Sequence, residues 1–250
     1  MLLNKTLPLL LACLLLPACA SEAPPPEAAT GPVVVLQAGL GDDSGVWQRV
    51  RAALPAGALT VVAPDRPGYG RTPATSAPRD PCTIAAEQHE WLARSGLKPP
   101  YLLVGHSIGG LYQYAFARLY PGEVKGLLLL EGTNPQHLAR VKEKAPAIAT
   151  MLRVVRLAMT GATAAEFDAQ ARCTDAWDAA PPLQLPVRVL ARRDFRGLEQ
   201  GAFEAVFREL QQDWLRRTGA ARVELLPDTG HYLQKDQPAA VAQAIVEMAR

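Results

Sequence analysis

The stretch Tyr101-Leu102-Leu103-Val104-Gly105-His106-Ser107-Ile108-Gly109 joins a short apolar run to an amphipathic helical pattern through a Gly-x-Ser-x-Gly pentapeptide. An apolar run bounded by turn residues reads as a strand buried on both faces, the kind found in parallel sheets covered by helices. A serine caught between such a strand and a helix must adopt strained backbone angles. Glycines two residues to either side leave room for neighbouring chain where a Cβ would collide. The turn pushes the Ser107 hydroxyl beyond the end of the sheet, beside a helix N-terminus whose unpaired N–H groups favour negative charge. Ser107 is therefore the candidate nucleophile.

The same alternation runs through the chain. Val33–Leu36, Thr60–Ala63, Tyr101–Val104, Gly126–Leu130, Val187–Ala191 and Val223–Leu226 read as buried strands. Val46–Leu54, Ile84–Leu92, Leu111–Tyr120, Phe203–Leu215 and Ala239–Met248 read as helices between them. This rhythm predicts an α/β fold with a mostly parallel sheet flanked by helices, and reactive groups in loops at the C-terminal strand ends. Over about 133–186 the alternation lapses, and Ile148, Met151, Leu152, Val155 and Met159 are spaced to share one helical face. That segment is expected to form an inserted helical cap. With 250 residues, 49% of them hydrophobic, the chain can build one sizeable domain over 33–250. With a net charge of +2 and no Lys/Arg cluster, nothing argues for nucleic acid as a partner. No protein partner is implied.

Lys5 followed by the apolar run Leu7–Leu16 reads as an export signal over 1–18, too short to span a bilayer. Leu16-Pro17-Ala18-Cys19 resembles a bacterial lipobox, in which Cys19 would become the lipidated first residue. Cleavage after Ala20, with Ala18 and Ala20 as the small residues, is the alternative. Either route takes the mature protein out of the cytoplasm, and an envelope lipoprotein facing the outer membrane and periplasm is preferred over a soluble secreted protein. Membrane contact would then run through the lipid on Cys19. Residues 19–32, with Pro24, Pro25 and Pro26 in a row, form a Pro-rich tether. Once Cys13 leaves with the signal, Cys82 and Cys173 remain as a pair in an oxidising compartment. They are candidates for a disulfide, with two isolated thiols as the alternative.

A serine hydroxyl attacks only when a base removes its proton. His231 follows the last strand in Asp228-Thr229-Gly230-His231 and is the candidate base. His89, His106 and His137 read as packing or surface residues. An acid must orient the base and stabilise its cation. Asp194, just past the strand Val187–Ala191, gives the chain order serine, acid, histidine and is preferred. Glu131, which closes Leu127–Leu130, is the alternative acid. The neighbouring Arg192 and Arg193 read as solvated. Donors for a tetrahedral oxyanion are expected from the backbone N–H of Ile108 and of Leu40, the latter in the loop Gln37-Ala38-Gly39-Leu40-Gly41-Asp42-Asp43.

Ala38-Gly39-Leu40-Gly41-Asp42 with Trp47, Asp65-Arg66-Pro67-Gly68-Tyr69-Gly70, Val104-Gly105-His106-Ser107-Ile108-Gly109-Gly110, and Gly230-His231 with Asp236-Gln237-Pro238 together resemble the serine α/β-hydrolase family of esterase and lipase type. The resemblance covers about Val33 to Arg250 and is weakest between Glu131 and Val187. Many members have His-Gly where this chain has Ala38-Gly39, a departure that leaves the backbone donors intact. The resemblance implies hydrolysis of a small-molecule carboxylic ester through an acyl-enzyme on Ser107, with His231 as general base and acid, and with no metal or organic cofactor. The same triad would serve an amide, peptide or thioester. A non-catalytic binding protein on a hydrolase scaffold is a further alternative. Serine at the elbow argues against the dehalogenases and epoxide hydrolases of similar fold, which use aspartate there.

Overall fold

The β-strands β1 (Val33–Gln37), β2 (Thr60–Val62), β3 (Tyr101–His106), β4 (Val124–Leu130), β5 (Val187–Arg192) and β6 (Val223–Leu226) form one sheet in the order β2-β1-β3-β4-β5-β6. Every neighbouring pair is parallel. The computed structural model describes residues 33–250, so the expected signal over 1–18, Cys19 and the tether over 19–32 lie outside the described residues.

Strand side chains alternate between two cores. On β3 and β4, Tyr101, Leu103, Leu127 and Leu129 pack with α2 (Pro81–Arg94) and α3 (Ile108–Leu119), against Ile84, Leu92, Leu111 and Phe116. Leu102, Val104, Leu128 and Leu130 face the other way, onto Val50 of α1 (Gln48–Ala53) and Val241 and Ile245 of the C-terminal helix (Pro238–Ala249). Burial on both faces is why these strands are unbroken apolar runs. Register then places the loops. Gln37 pairs with Gly105 and His106 with Leu130, so β1, β3 and β4 end level with one another. The chain after residues 37, 106 and 130 therefore emerges along one rim.

Between β4 and β5 the chain inserts α4 (His137–Lys144), α5 (Pro146–Leu157) and α6 (Gly161–Ala169). Val141, Ala145 and Ala149 pack on Val206 and Leu210 of α7 (Ala202–Thr218), with Ile148 and Leu152 leaning on that cluster. The expected single apolar face is therefore split. Ile148 and Leu152 turn inward, whereas Met151 and Val155 are 44% and 45% exposed. The small side chain of Ala149 seats α5 against its neighbours, and the rotation this imposes carries Met151 and Val155 out to solvent.

Cys82, in the first turn of α2, is disulfide-bonded to Cys173, just after α6, with Cα atoms 6.2 Å apart. The bond joins residues 91 apart in sequence, and constraining so long a loop in the unfolded chain contributes about 4.5 kcal/mol. The double variant Cys82→Ser with Cys173→Ser is expected to lose about 3–5 kcal/mol of unfolding free energy in urea denaturation. A loss below 1 kcal/mol would contradict this.

Candidate active site

Ser107 sits at φ 54°, ψ −126°, the strained elbow expected between β3 and α3. Its backbone is pinned on both sides: its N–H donates to Leu130 O at 3.0 Å, and its carbonyl accepts from Gly110 N and Thr133 N, both at 2.9 Å. The flanking glycines are required by close approach. A Cβ on Gly105 would strike the Gly109 carbonyl and the Gly110 backbone, and one on Gly109 would strike the carbonyls of Gln37 and Ala38. The Ile108 N–H, first of α3, has no acceptor within the helix and stands beside the serine.

His231 follows β6, and its Nδ1 lies 3.4 Å from Oε2 of Glu131. Glu131 caps β4 at φ 52°, and its side chain is fully buried. Its N–H donates to Leu190 O at 2.9 Å, its Oε1 accepts from the Arg192 N–H at 2.7 Å, and its Oε2 lies 3.2 Å from Arg192 Nε. The carboxylate thus faces the histidine with a fixed cation behind it. Asp194, the preferred acid on chain order, is placed otherwise. Its half-exposed carboxylate accepts from Arg193 Nε at 3.2 Å, and that hydrogen bond holds it below the ordinary aspartate range. It makes no hydrogen bond to His231. The reason is local: Asp194 lies two residues beyond β5, while the left-handed turn at Glu131 bends the alternative acid inward as its strand ends. Arg192 departs from expectation too, since its side chain is only 3% exposed and pairs with Glu131 and Glu199, whereas Arg193 is solvated.

Ser107, His231 and Glu131 line one cavity of about 260 Å³. Its apolar wall comes from Leu152, Phe203, Phe207 and Leu210, and Thr133, His137 and Gln211 add polar groups. His137 and His106 both gain roles the helical and strand patterns could not show. His137, at the start of α4, looks into the cavity, and burial, followed by the charge of His231, pushes its pKa down to about 4. His106 donates from Nε2 to the His231 carbonyl at 2.8 Å, tying the loop that carries His231 to β3, and burial holds its imidazole well below the usual range. In the loop after β1, the carbonyls of Ala38 and Gly39 accept from Arg66 at 2.7 and 2.9 Å, which orders the segment carrying Leu40. The one cluster of metal-ligand spacing among the described residues, Asp80 with Cys82 and Cys173, uses sulfurs already bonded to each other and so offers no thiolate.

A sequence model of the alpha/beta hydrolase family matches residues 33–244. The chain belongs to that family. The chain is 38% identical over 109 residues, 43% of its length, to the Escherichia coli protein described as "Putative carbamate hydrolase RutD". It spans 40% of that protein, and under half of the curated relatives it matches. A thermophilic esterase from Thermogutta terrifontis superposes with a TM-score of 0.67 at 23% identity, over 89% of this chain and 92% of that one. The epoxide hydrolase CorEH does so at 0.62 and 18%, over 88% and 92%. Neighbours of both chemistries share the fold, so the reaction has to be argued from the site.

Two outcomes follow from this geometry. Glu131→Gln is expected to lower the turnover of any Ser107-dependent substrate by about 10⁴-fold, as loss of the orienting charge does in related triads, while Asp194→Asn stays within about threefold. Steady-state kinetics of the pair decide between the two acids. The His137 ring resonance is expected to titrate near pH 4. The folded protein declines a proton that the unfolded chain accepts near pH 6.5, so this histidine costs stability as pH falls from 6.5 toward 4. Denaturation of His137→Gln should show a shallower fall over that window.

Proposed function

We propose that this hydrolase cleaves a small carboxylic ester through an acyl-enzyme on Ser107. The observation that carries the reading is the conjunction of a strained elbow serine with a histidine whose Nδ1 meets the buried Glu131 carboxylate. His231 takes the Ser107 proton as the hydroxyl attacks the carbonyl, and Glu131 stabilises the imidazolium that forms. The N–H groups of Ile108 and Leu40 receive the developing oxyanion. His231 then returns the proton to the leaving alcohol, and a water molecule repeats the sequence to release the acid. A cavity of about 260 Å³ with Phe203 and Phe207 in its wall suits a short acyl chain.

The partial likeness to RutD favours one second reading, cleavage of a carbamate or related amide by the same groups. We propose as well that Cys19 anchors the exported enzyme to the envelope, a reading supported by the Cys82–Cys173 disulfide, since such bonds persist in oxidising compartments.

The test is turnover of p-nitrophenyl butyrate and labelling by a fluorophosphonate, wild type against Ser107→Ala. Both activities are expected to vanish in the variant, which retains its fold. Labelling with ester turnover absent but carbamate turnover present would select the second reading. Neither labelling nor turnover in the wild type would contradict both.

A further inference from the structure

Glu166 lies on α6, within the helical insertion, and its side chain is fully buried. A carboxylate so placed persists as an anion only if its oxygens are satisfied. Arg66 grips it with two bonds, Nε to Oε1 and Nη2 to Oε2, both at 3.0 Å. The Tyr69 hydroxyl donates to Oε2 at 2.9 Å, and Arg79 Nη2 approaches Oε1 at 3.5 Å. The guanidinium of Arg66 has a second edge, and this one faces the loop after β1. There Nη1 donates to Ala38 O at 2.7 Å, and Nη2 to Gly39 O at 2.9 Å.

Gly39 C=O and Leu40 N–H belong to one peptide unit, planar and trans, so the two groups point in opposite directions. A hand on the Gly39 oxygen therefore sets where the Leu40 N–H points. Arg66 can hold that pose only while its own orientation is fixed, and the bidentate bond to Glu166 is what fixes it. Just after α6, Cys173 is bonded to Cys82 in the first turn of α2, which ties this end of the insertion covalently to the body of the domain.

We infer that Glu166 is a positioning residue for the oxyanion loop: acting through Arg66 it aims the Leu40 N–H at the reacting carbonyl, and the Cys82–Cys173 bond keeps α6 seated for that purpose. This part of the insertion is a fixed piece of the catalytic frame and not a lid that swings clear of it. The inference rests on the ester-hydrolase reading, because the role of the Leu40 N–H does. A merely structural ion pair would set stability and leave the rate of each folded molecule unchanged. A positioning pair sets how strongly the transition state is held, and spares substrate binding.

The experiment compares Glu166→Gln, Tyr69→Phe and Arg66→Lys in the intact disulfide-bonded protein. Each is assayed with p-nitrophenyl butyrate and with an alkyl boronic acid, whose tetrahedral adduct on serine mimics the transition state. For Glu166→Gln, kcat is expected to fall by about 10²-fold with KM within about threefold, and boronate affinity should fall in parallel. Tyr69→Phe should show a smaller loss of the same pattern. Arg66→Lys should not retain activity despite keeping the charge, because an ammonium cannot hold two carbonyls and a carboxylate in one plane. A folded Glu166→Gln enzyme with kcat and boronate affinity within threefold of wild type would overturn the inference. If Glu166→Gln does not fold, Tyr69→Phe decides: a parallel fall supports the inference, and no change in either quantity overturns it. If the wild type shows no Ser107-dependent turnover, the ester reading has failed on its own. Hydrogen exchange at the Leu40 amide then decides, faster exchange in Tyr69→Phe supporting the positioning role and unchanged exchange refuting it.

Discussion

Everything at this site depends on how closely backbone can approach backbone around Gly105 and Gly109. The space where Gly109 lacks a Cβ is filled by the carbonyls of Gln37 and Ala38, and the space beside Gly105 by the start of α3. That contact brings the end of β1 against the elbow, so that the loop bearing Leu40 and the first amide of α3 share one rim with Ser107. The level register of β1, β3 and β4 adds Glu131 to the same rim. A larger residue at either glycine would force these segments apart, and displacements of about 1 Å are enough to cost a catalytic site orders of magnitude in rate.

Two buried carboxylates, Glu131 and Glu166, repeat one device on opposite sides of the serine. Each has a side chain with no exposure, and each is held by an arginine that is itself buried, Arg192 and Arg66 respectively. Ion pairs of this kind add little net stability, because desolvation cancels most of the attraction, yet breaking one strands its partner. What they supply here is direction. Arg192 fixes Glu131 facing His231, and Glu166 fixes Arg66 facing the loop after β1.

The sheet and the elbow were legible in the sequence because their causes are local. A strand buried on both faces must be apolar at every position, as Leu127 to Leu130 are, and an elbow must carry its glycines at fixed spacing. Glu131 against Asp194 could not be settled that way. Both follow strand ends, and the choice turns on the left-handed backbone at 131 and on the Glu131 N–H meeting Leu190, which are facts of register between distant segments. His137 was hidden because helical periodicity does not say which polar residue of a first turn faces a cavity. Glu166 left a faint trace: the residues before it, Gly161-Ala162-Thr163-Ala164-Ala165, are all small, a composition that lets a helix lie close enough to bury it, although Asp168 two residues on is an equally eligible acid by sequence. The split face of α5 has the same origin, since the packing of Ala149 overrides the stripe drawn from spacing alone.

In the proposed arrangement, Ser107, His231, Glu131 and the amides of Leu40 and Ile108 act on one reacting centre. A crystal structure of the Ser107 fluorophosphonate adduct tests it most directly. The phosphoryl oxygen is expected within about 2.7–3.1 Å of both amides, with His231 Nδ1 still on Glu131. A phosphoryl oxygen turned to solvent, or a His231 that swings to Asp194, would contradict it.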